Sequence, residues 1–465
     1  MKSITVVGNN TVSFISALIL RQRFREYKIS LIVSEKDHSQ TAPILSPFKE
    51  FIGLCGIGFV PIMTAGRCTF RWGTQFDSYL DFRVEGPYKH IFAQYPFMYG
   101  KVISEKLPFK KTMHPDLYES CVNKGIHPDQ FHFDLKEVTK YFRNLCDEKN
   151  IKVITDTITK VEVKSNKIVS IVGKKKYTSD FYIDATGVKR TLIKHLNPSY
   201  ISFKDYLPMN EMITFSAPES KVYNSFTTVK AFKKGWLQSF PLWKSTEYRY
   251  LYNNKNMDSA KAQRELFKTI KQKLKFNSVI PIESGQLDRA WIGNCCAIGN
   301  SAGSVEPLEE TELGFAINQT FILMHYLSNC SEGDITNYNK KITRVLNNIK
   351  NFIHLHYLGS KNFKLKTPDD LSAQLKVWKN RLPIGEDFAE RYLLFDAPHF
   401  IRVLYGLKVF DLSKIKKEYE DVNFLVREVG KLEWNKYVET FKYRGLSHKK
   451  YLLYHYFYKD EENKT

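Results

Sequence analysis

One stretch decides the fold: Trp291-Ile-Gly-Asn-Cys-Cys-Ala-Ile-Gly-Asn-Ser-Ala-Gly-Ser-Val-Glu-Pro-Leu-Glu-Glu-Thr311. The apolar run 295–298 predicts a buried strand, and the apolar spacing after Pro307 predicts a helix. Between them, Gly299-Asn-Ser-Ala-Gly303 forms a turn of small residues whose backbone N–H groups can approach an anion without interference from side chains. The stretch therefore predicts a strand–turn–helix unit suited to an anionic ligand.

A second unit of this kind begins at the N-terminus. Residues 3–7 form a short apolar run, and a helix-like stretch follows the turn at Gly8. The dinucleotide fingerprint has three glycines, and here Asn10 and Ser13 occupy the second and third positions. Asn tolerates left-handed backbone angles and Ser is small, so the turn remains feasible. This segment alone leaves two interpretations open: a dinucleotide site, or a strand–turn–helix without a ligand.

Two further segments favour the dinucleotide site. The predicted strand 28–33 ends next to Glu35, and an acidic residue at this position suits a pair of ribose hydroxyls. Residues 151–187 alternate like an antiparallel meander and end in Phe181-Tyr-Ile-Asp-Ala-Thr-Gly187. That ending, with Asp184, resembles a signature of FAD-dependent aromatic hydroxylases and their relatives. The order of the three segments is the order in that family, which favours FAD binding over a nucleotide-free Rossmann-like fold.

Within this superfamily the chain most resembles the flavin-dependent tryptophan halogenases. Four segments carry the resemblance, and with the FAD segments they extend over most of residues 1–360. They are Gly299-Asn-Ser-Ala-Gly-Ser-Val-Glu-Pro-Leu-Glu309, Gly235-Trp-Leu-Gln-Ser-Phe-Pro-Leu242, Phe352-Ile-His-Leu-His-Tyr-Leu358 and Cys68-Thr-Phe-Arg-Trp-Gly-Thr-Gln-Phe76.

The resemblance implies a chemistry. In that family, reduced FAD, oxygen and a halide ion give hypohalous acid, which passes through a tunnel to a lysine beside an aromatic substrate. A glutamate polarises the electrophile and accepts the ring proton, and Glu309 matches its position. Arg71 stands where the family has lysine. Arginine can donate hydrogen bonds but cannot easily become a haloamine. Its alternative is an ordinary strand residue at the surface.

Two further blocks depart from the family. Its Glu-Ser-Thr-Gly becomes Glu-Glu-Thr-Glu here, so the expected halide site contains Thr311 and Glu312. The two added carboxylates would repel a halide unless they point away from it. In the tryptophan box, which is expected to line the tunnel, Gln238 and Phe240 replace a Trp and an Ile. These expected tunnel residues are Trp236, Gln238, Phe240 and Pro241.

Gln238 opens an alternative function. The family uses its bulky groups to keep substrate away from the flavin, and a smaller Gln admits an FAD monooxygenase or oxidase without halogenation. A third interpretation is a basic, non-enzymatic interaction protein on a decayed flavin scaffold. The preserved blocks at Asp184 and Gly299 argue against this third interpretation.

We expect an α/β protein with an FAD-binding Rossmann-like three-layer domain, a strand-rich substrate lobe and a mainly helical C-terminal region. The expected ranges are 1–80, 131–190 and 285–330 for the FAD module, 81–130 and 191–284 for the substrate lobe, and 331–465 for the helical region. The expected FAD contacts are Gly8, Asn10, Val12, Ser13, Glu35, Asp184, Gly187, Gly299, Asn300, Ala302 and Pro307.

Composition sets broad limits on class and location. The 465 residues are 43% apolar, enough for a large core, and no run of about 18 apolar residues suggests a membrane span. The N-terminus enters the first predicted strand directly, so we expect no signal peptide. The chain has seven cysteines, and a disulfide between the adjacent Cys295 and Cys296 of a buried strand is geometrically unfavourable. These features predict a cytoplasmic protein with reduced thiols, and no Cys/His spacing suggests a metal site.

The net charge and the number of dinucleotide-binding motifs indicate which partners the protein has. The net charge of +21 fits a lysine-rich solvated surface or attraction of an acidic partner, and no nucleic-acid module is recognisable. Only one plausible dinucleotide site is present, so reduced FAD should come from a separate flavin reductase. The expected substrate is a small aromatic molecule, and a homo-oligomer remains open.

Overall fold

The computed structural model describes residues 2–34, 48–71, 74–77, 82–83, 130–220, 223, 227–271, 274–360, 362–388, 390–411, 413–415, 417 and 447–458. The expected FAD contact Glu35 lies outside the described residues, as does most of the expected lobe segment 81–130.

The described strands are numbered β1 to β21 in chain order. They are β1 (Ser3–Val7), β2 (Lys28–Val33), β3 (Thr69–Arg71), β4 (Thr74–Asp77), β5 (Phe82–Arg83), β6 (Gln130–His132), β7 (Lys152–Thr155), β8 (Lys160–Lys164), β9 (Lys167–Val172), β10 (Lys176–Tyr177), β11 (Phe181–Asp184), β12 (Tyr200–Ser202), β13 (Glu211–Pro218), β14 (Thr227–Ala231), β15 (Gly235–Leu242), β16 (Ser245–Tyr252), β17 (Lys275–Pro281), β18 (Gly285–Leu287), β19 (Trp291–Ile292), β20 (Cys295–Ala297) and β21 (Gly303–Ser304).

The described helices are numbered α1 to α10. They are α1 (Thr11–Arg23), α2 (Phe48–Cys55), α3 (Phe59–Ala65), α4 (Leu135–Glu148), α5 (Ser259–Ile270), α6 (Thr311–Tyr326), α7 (Glu332–Leu358), α8 (Asp369–Trp378), α9 (Ala397–Gly406) and α10 (His448–Tyr456).

A six-stranded sheet has the order β19–β20–β11–β1–β2–β7. β1 pairs in parallel with β2 and β11, and the parallel arrangement continues to β7 on one side and β20 on the other. Such strands are buried on both faces, which explains the continuous apolar runs in β1 and β2. Because the carboxyl ends of parallel strands meet at one edge, the turns after β1, β11 and β20 come together there.

The expected antiparallel meander is wrong at its first and last strands. β7 pairs in parallel with β2, and β11 pairs in parallel with β1, both in the six-stranded sheet. In this segment only β8, β9 and β10 form an antiparallel meander. A parallel neighbour needs a crossover connection, and α4 precedes β7 as its helix. Alternation of apolar residues predicts a half-buried strand but does not say which neighbour the strand chooses.

A seven-stranded sheet has the order β17–β13–β16–β15–β14–β4–β5. One of its faces packs on α5 through a separate small core. The opposite face carries Trp236, Gln238 and Phe240 of β15, because alternate residues of a strand share a face. β4 pairs in parallel with β14, so residues 74–77 bond to this sheet although the expected ranges place them in the FAD module. The division into modules remains a prediction.

Two other expectations concern helices and thiols. In the described part of the chain, no single helix is both long and apolar enough to cross a membrane. Only the pair α2 and α3, bent by 120°, passes that test of length and composition jointly. The six described cysteines are free, and both Cys295 and Cys296 are buried.

Gly8 provides a test of the turn after β1. Its φ is 156°, and a Cβ there would lie 2.4 Å from the carbonyl oxygen of Ala185. We expect Gly8→Ala to lower the free energy of unfolding by about 1–3 kcal/mol, because the backbone at Ala185 must move to make room for the added methyl group. Gly53→Ala is the matched control. A Cβ on Gly53 of α2 would meet no neighbouring atom, and alanine is about 1 kcal/mol more favourable than glycine within a helix, so this variant should not be destabilised. Denaturant unfolding measures both, and an unchanged midpoint for Gly8→Ala would contradict the turn geometry.

Candidate functional site

A cavity of about 390 Å³ opens at the carboxyl edge of the six-stranded sheet. The turns after β1, β11 and β20 contribute to its wall, as the parallel arrangement requires. Thr311 and Glu312, the expected halide-site residues, also line this cavity. The expected FAD contacts that line it are Asn10, Val12, Gly187, Asn300 and Pro307.

The turn after β1 is braced by the two residues that replace glycines. The Asn10 Oδ1 accepts from the backbone N–H of Ser13 at 3.0 Å, and its Nδ2 donates to the Ala185 carbonyl at 2.7 Å. The Ser13 hydroxyl lies 3.0 Å from the Gly8 carbonyl and 2.7 Å from that of Asn10. Side-chain hydrogen bonds thus hold a tight turn that glycines would permit through backbone freedom.

The Asp184 carboxylate holds the turn after β11, which forms part of the cavity wall. It is fully buried, and its Oδ2 accepts from the backbone N–H groups of Leu192 and Ile193 at 2.7 and 2.9 Å. Its Oδ1 accepts from the N–H and hydroxyl of Thr186 at 3.0 and 2.7 Å. Gly187 follows with a φ of 67°, and the space where a Cβ would stand is open. Asp184 therefore fixes the turn, and Gly187 leaves room in the cavity wall.

The turn after β20 packs against the first turn. Gly299 has a φ of 61°, and a Cβ there would lie 3.1 Å from a methyl group of Val12. Its N–H donates to Gln319 Oε1 at 2.8 Å, which joins the turn to α6. Ala302 is buried and its N–H donates to the Gly299 carbonyl at 2.9 Å. These residues hold the two turns in contact, and neither Gly299 nor Ala302 lines the cavity itself.

Arg71 is buried at the end of β3, with 2% of its side chain exposed, so the surface-strand alternative is wrong. Its Nη2 lies 3.3 Å from Glu310 Oε2 and 3.8 Å from Glu309 Oε2. The sequence placed Arg71 and Glu309 at one site, and the structure brings them together. Three uncharged side chains also accept hydrogen bonds from the guanidinium, namely Thr74, Gln130 and Thr227.

The two oxygens of Glu309 differ. Oε2 accepts from the Thr74 hydroxyl at 2.8 Å and faces Arg71. Oε1 lies 3.2 Å from His356 Nε2, but without hydrogen-bond geometry, and has no hydrogen-bond partner among the described residues. The His356 ring stacks on Phe76, with 4.2 Å between ring centroids. One oxygen of Glu309 is therefore held in place while the other remains free to accept a proton.

Glu310 points away from the cavity. It precedes α6 with a left-handed φ of 52°, and burial raises the pKa of its carboxyl to about 8, although Arg71 lowers it. The Gln238 Nε2 lies 2.8 Å from Glu310 Oε1 and within 3.0 Å of the carbonyls of Pro307 and Leu308. The amide of Gln238 thus ties β15 to the turn that carries the acidic residues.

The expected tunnel residues are packed rather than open. Gln238 is fully buried, so its smaller size does not leave an opening at this position. The Trp236 ring meets Tyr357 edge to face with 5.3 Å between centroids, and the Arg249 guanidinium lies 4.8 Å from the Phe240 ring. The Pro241 carbonyl accepts a hydrogen bond from the next sheet.

Several site residues had no role in the sequence argument. His356 lies in the family-like segment 352–358, which is the one signal that points to it. Thr74 and Glu306 likewise lie in the family-like segments 68–76 and 299–309. Gln130, Thr227 and Arg249 lie in strands whose local pattern carries no chemical information, because their partners are distant in the chain.

Glu306 is a fully buried carboxyl just before the acidic turn. The Met209 N–H donates to its Oε1 at 2.6 Å, and the Tyr357 hydroxyl contacts its Oε2. Burial raises the pKa of Glu306 from 4.5 to about 8, while both hydrogen bonds oppose the rise. The folded protein therefore holds a proton on Glu306 that the unfolded chain releases near pH 4.5.

This pKa predicts a pH-dependent stability. A raised pKa stabilises the fold fully below the unfolded value of 4.5, and that contribution is lost as pH rises through about 8. Glu306→Gln is neutral at every pH. We expect its free energy of unfolding, relative to the parent, to rise by on the order of 1 kcal/mol per pH unit between these limits. Parallel denaturant titrations at several pH values measure this, and a constant difference would contradict a buried, protonated Glu306.

The sequence of this chain is similar to those of known halogenases. The model of the tryptophan halogenase family matches residues 3–416. Tryptophan 6-halogenase SttH of Streptomyces toxytricini is 25% identical over 302 residues, covering 60% of this chain and 57% of that protein. Tryptophan 7-halogenase RebH of Lentzea aerocolonigenes is 23% identical over 276 residues, covering 55% and 52%. The matched part thus spans less than two thirds of these relatives.

Solved structures share the fold. A tryptophan halogenase from Shewanella frigidimarina NCIMB 400 superimposes with a TM-score of 0.84 at 19% identity, covering 97% of this chain and 96% of its own. BrvH, a flavin-dependent halogenase from Brevundimonas sp. BAL3, gives a TM-score of 0.82 at 18% identity, with coverages of 97% and 99%. At this identity the likeness establishes the α/β fold. The family model, which matches most of the chain, establishes more: the protein belongs to the tryptophan halogenase family.

Proposed function

We propose that this protein is a flavin-dependent halogenase that acts on a small, electron-rich aromatic substrate. The observation that carries the proposal is the buried pair of Arg71, at the end of β3, and Glu309, on the turn before α6, which lie 3.8 Å apart. A hydrogen-bond donor and a carboxylate held together are what an electrophilic aromatic substitution requires. Family membership supports the same reaction.

The residues at the sheet edge fit FAD. The cavity of about 390 Å³ lies where the carboxyl ends of parallel strands meet, and Gly187 and the Gly299 turn leave backbone close to that space. Asn10, Val12, Asn300 and Pro307 would contact the cofactor, while Gly8, Ser13, Asp184 and Ala302 hold the turns. When bound and reduced, FAD supplies the two electrons with which oxygen and a halide ion give hypohalous acid. A separate flavin reductase provides the reduced form.

The halide would bind at the start of α6. Thr311 and Glu312 line the cavity there, and the helix N-terminus carries unsatisfied N–H groups and a positive dipole end. The added carboxylates do not point into this position together. Glu310 turns to Arg71 and Gln238, and Glu312 Oε1 accepts from the Asn300 amide at 2.7 Å.

Arg71 and Glu309 would then direct the substitution. Arg71 donates a hydrogen bond to the oxygen of hypohalous acid and so makes the halogen more electrophilic. The ring carbon attacks the halogen, a carbon–halogen bond forms and the halogen–oxygen bond breaks. The free Oε1 of Glu309 accepts the proton that the ring carbon loses, and the departing hydroxide takes up this proton to become water. Thr74 keeps Oε2 of Glu309 in place throughout.

The oxygenase alternative has less support than the sequence suggested. It rested on Gln238 as an opening between flavin and substrate and on Arg71 in place of lysine. Gln238 is buried and hydrogen-bonded, so only Arg71 still favours the oxygenase alternative.

We also propose the three-part organisation: an FAD module over 1–80, 131–190 and 285–330, a substrate lobe over 81–130 and 191–284, and a helical region over 331–465.

Glu309→Gln tests the proton acceptor. We expect halogenation to fall by about a hundred- to ten-thousand-fold, because an amide cannot take the ring proton, while FAD affinity stays unchanged. The assay supplies a flavin reductase, bromide and a panel of indoles and phenols, and detects products by their halogen isotope pattern. Glu265→Gln is the control, because this carboxylate binds Tyr250 on the opposite face of the large sheet. Equal halogenation by both variants would refute the role of Glu309.

Arg71 variants test the donor. Arg71→Lys keeps the positive charge beside Glu309 and Glu310, so we expect halogenation to be preserved or raised. Arg71→Ala removes the donor and leaves buried carboxylates uncompensated, so halogenation should be lost and stability reduced by about 3–5 kcal/mol. The remote variant Arg381→Lys, at an ion pair with Asp387, controls for loss of any arginine. A folded Arg71→Ala protein that halogenates like the parent would assign the donor to another residue.

A further inference from the structure

A chain of buried hydrogen bonds reaches Arg71 from the side away from the acidic turn. Its members are Thr69 of β3, His132 of β6 and Thr227 of β14, and all three are fully buried. The Thr69 hydroxyl lies 3.2 Å from His132 Nδ1, and the Thr227 hydroxyl lies 3.0 Å from His132 Nε2. Arg71 Nε donates to the same Thr227 hydroxyl at 3.0 Å. The imidazole is therefore two hydrogen bonds away from the guanidinium.

The direction of each bond follows from the Pro241 carbonyl at the far end of this chain. A carbonyl oxygen only accepts, so the hydrogen of the Thr69 hydroxyl is committed to it. Thr69 can then only accept from His132, which puts a hydrogen on Nδ1. A neutral imidazole carries one such hydrogen, so Nε2 is bare and accepts from the Thr227 hydroxyl. Thr227 in turn accepts from Arg71. Each hydroxyl thus donates one hydrogen bond and accepts one.

The surroundings of His132 favour this neutral form. Burial holds the pKa of its imidazole well below the ordinary value, and the positive charge of Arg71 acts in the same direction. A hydrogen on Nε2 would point at a hydroxyl that already accepts from Arg71. The hydroxyl hydrogen of Thr227 would then have no acceptor among the described residues. Charge and hydrogen bonding therefore select the same tautomer.

The hydrogen bonds of Arg71 leave one of its five N–H groups for a ligand. Four of them are engaged by described side chains, namely Thr227 at Nε, Gln130 at Nη1, and Thr74 and Glu310 at Nη2. Among the described residues, the second hydrogen of Nη1 has no partner. Because the guanidinium is planar and rigid, the bonds at Nε and Nη2 determine where that hydrogen points.

We propose that His132 is a positioning residue for the halogenation step. As the neutral Nδ1–H tautomer it accepts from the Thr227 hydroxyl and turns the oxygen of that hydroxyl toward Arg71 Nε. The guanidinium is thereby held with its remaining Nη1–H directed at the oxygen of hypohalous acid. This inference rests on the proposed function, since it concerns the orientation of the donor named there.

The first test observes the imidazole directly and needs no reaction. The full chain is labelled with ¹⁵N-histidine, and the signals of His132 are identified by their absence from the His132→Gln spectrum. We expect the nitrogen shifts of a protonated Nδ1 and an unprotonated Nε2 at neutral pH. A His132 imidazole that carries a hydrogen on Nε2 at neutral pH would overturn the inference.

A pair of amide substitutions separates positioning from packing. The Gln amide reaches as far as Nε2 and can accept from Thr227, whereas the shorter Asn amide reaches only as far as Nδ1. Solvent exchange of the Arg71 Nε–H should stay slow in His132→Gln and become about tenfold faster in His132→Asn. In the halogenation assay, His132→Asn should lower kcat by about ten- to a hundredfold with an unchanged KM for halide, because a small misplacement of a reacting group costs that much. His132→Gln should retain most of kcat. His195→Asn, at an exposed imidazole, controls for loss of a histidine.

The outcomes separate this inference from the proposed function. If the parent halogenates nothing, the proposed function fails, and exchange of the Arg71 Nε–H still decides the role of His132. Equal exchange in folded His132→Gln and His132→Asn overturns the inference, as does equal kcat of the two in an active protein. If neither variant folds, Thr227→Ser and Thr227→Val give the same contrast, because serine keeps the hydroxyl and valine has the shape of threonine without it. Slow exchange with serine and fast exchange with valine supports the inference, and equal exchange overturns it.

Discussion

The burial of Arg71 against two adjacent carboxylates is the constraint on which the rest of the site depends. A guanidinium that is 2% exposed needs a negative partner, and Glu309 and Glu310 supply two possible ones at 3.8 and 3.3 Å. Because burial raises the pKa of Glu310 to about 8, its carboxyl is largely protonated at neutral pH. Arg71 opposes that rise in pKa, so the guanidinium and the adjacent carboxyl groups stabilise one another in the buried site.

The departures from the family motif form one connected set. The guanidinium of Arg71 lies near two carboxylates, Glu309 and Glu310. It therefore gives Glu310 a charged partner, which the serine of the family motif at this position would not need. Gln238 takes the place of a Trp and donates to Glu310 and to the carbonyls of the same turn. Arg249 of β16 stands directly opposite Gln238. Two of the replacements, Arg71 and Gln238, thus contact a third, Glu310.

The sequence predicted the frame of the molecule well. Apolar runs and small-residue turns at 3–13, 181–187 and 295–303 predicted three strands of one sheet, and their parallel pairing follows from the fold class. Alternation did not predict the neighbour of β7, because the period of a strand is the same in parallel and antiparallel pairs. Glu309 and Arg71 could be placed at one site only through the resemblance, since their contact joins distant parts of the chain.

The polar surroundings of that pair were beyond the reach of the sequence for a physical reason. Arg249 lies in Tyr248-Arg-Tyr-Leu-Tyr252, where aromatic residues on both faces hide which side is buried. Its environment is set by Gln238 on the next strand and by the turn before α6, and neither is near it in sequence. Glu306 looks like part of a conventional acidic turn, yet its pKa depends on Tyr357 and on complete burial. Local pattern specifies strands and turns, whereas the charge state of a side chain is fixed only when separate elements close around it. In this protein that closure gives each carboxyl group of the acidic run its own donor: Thr74 for Glu309, Gln238 for Glu310 and Asn300 for Glu312.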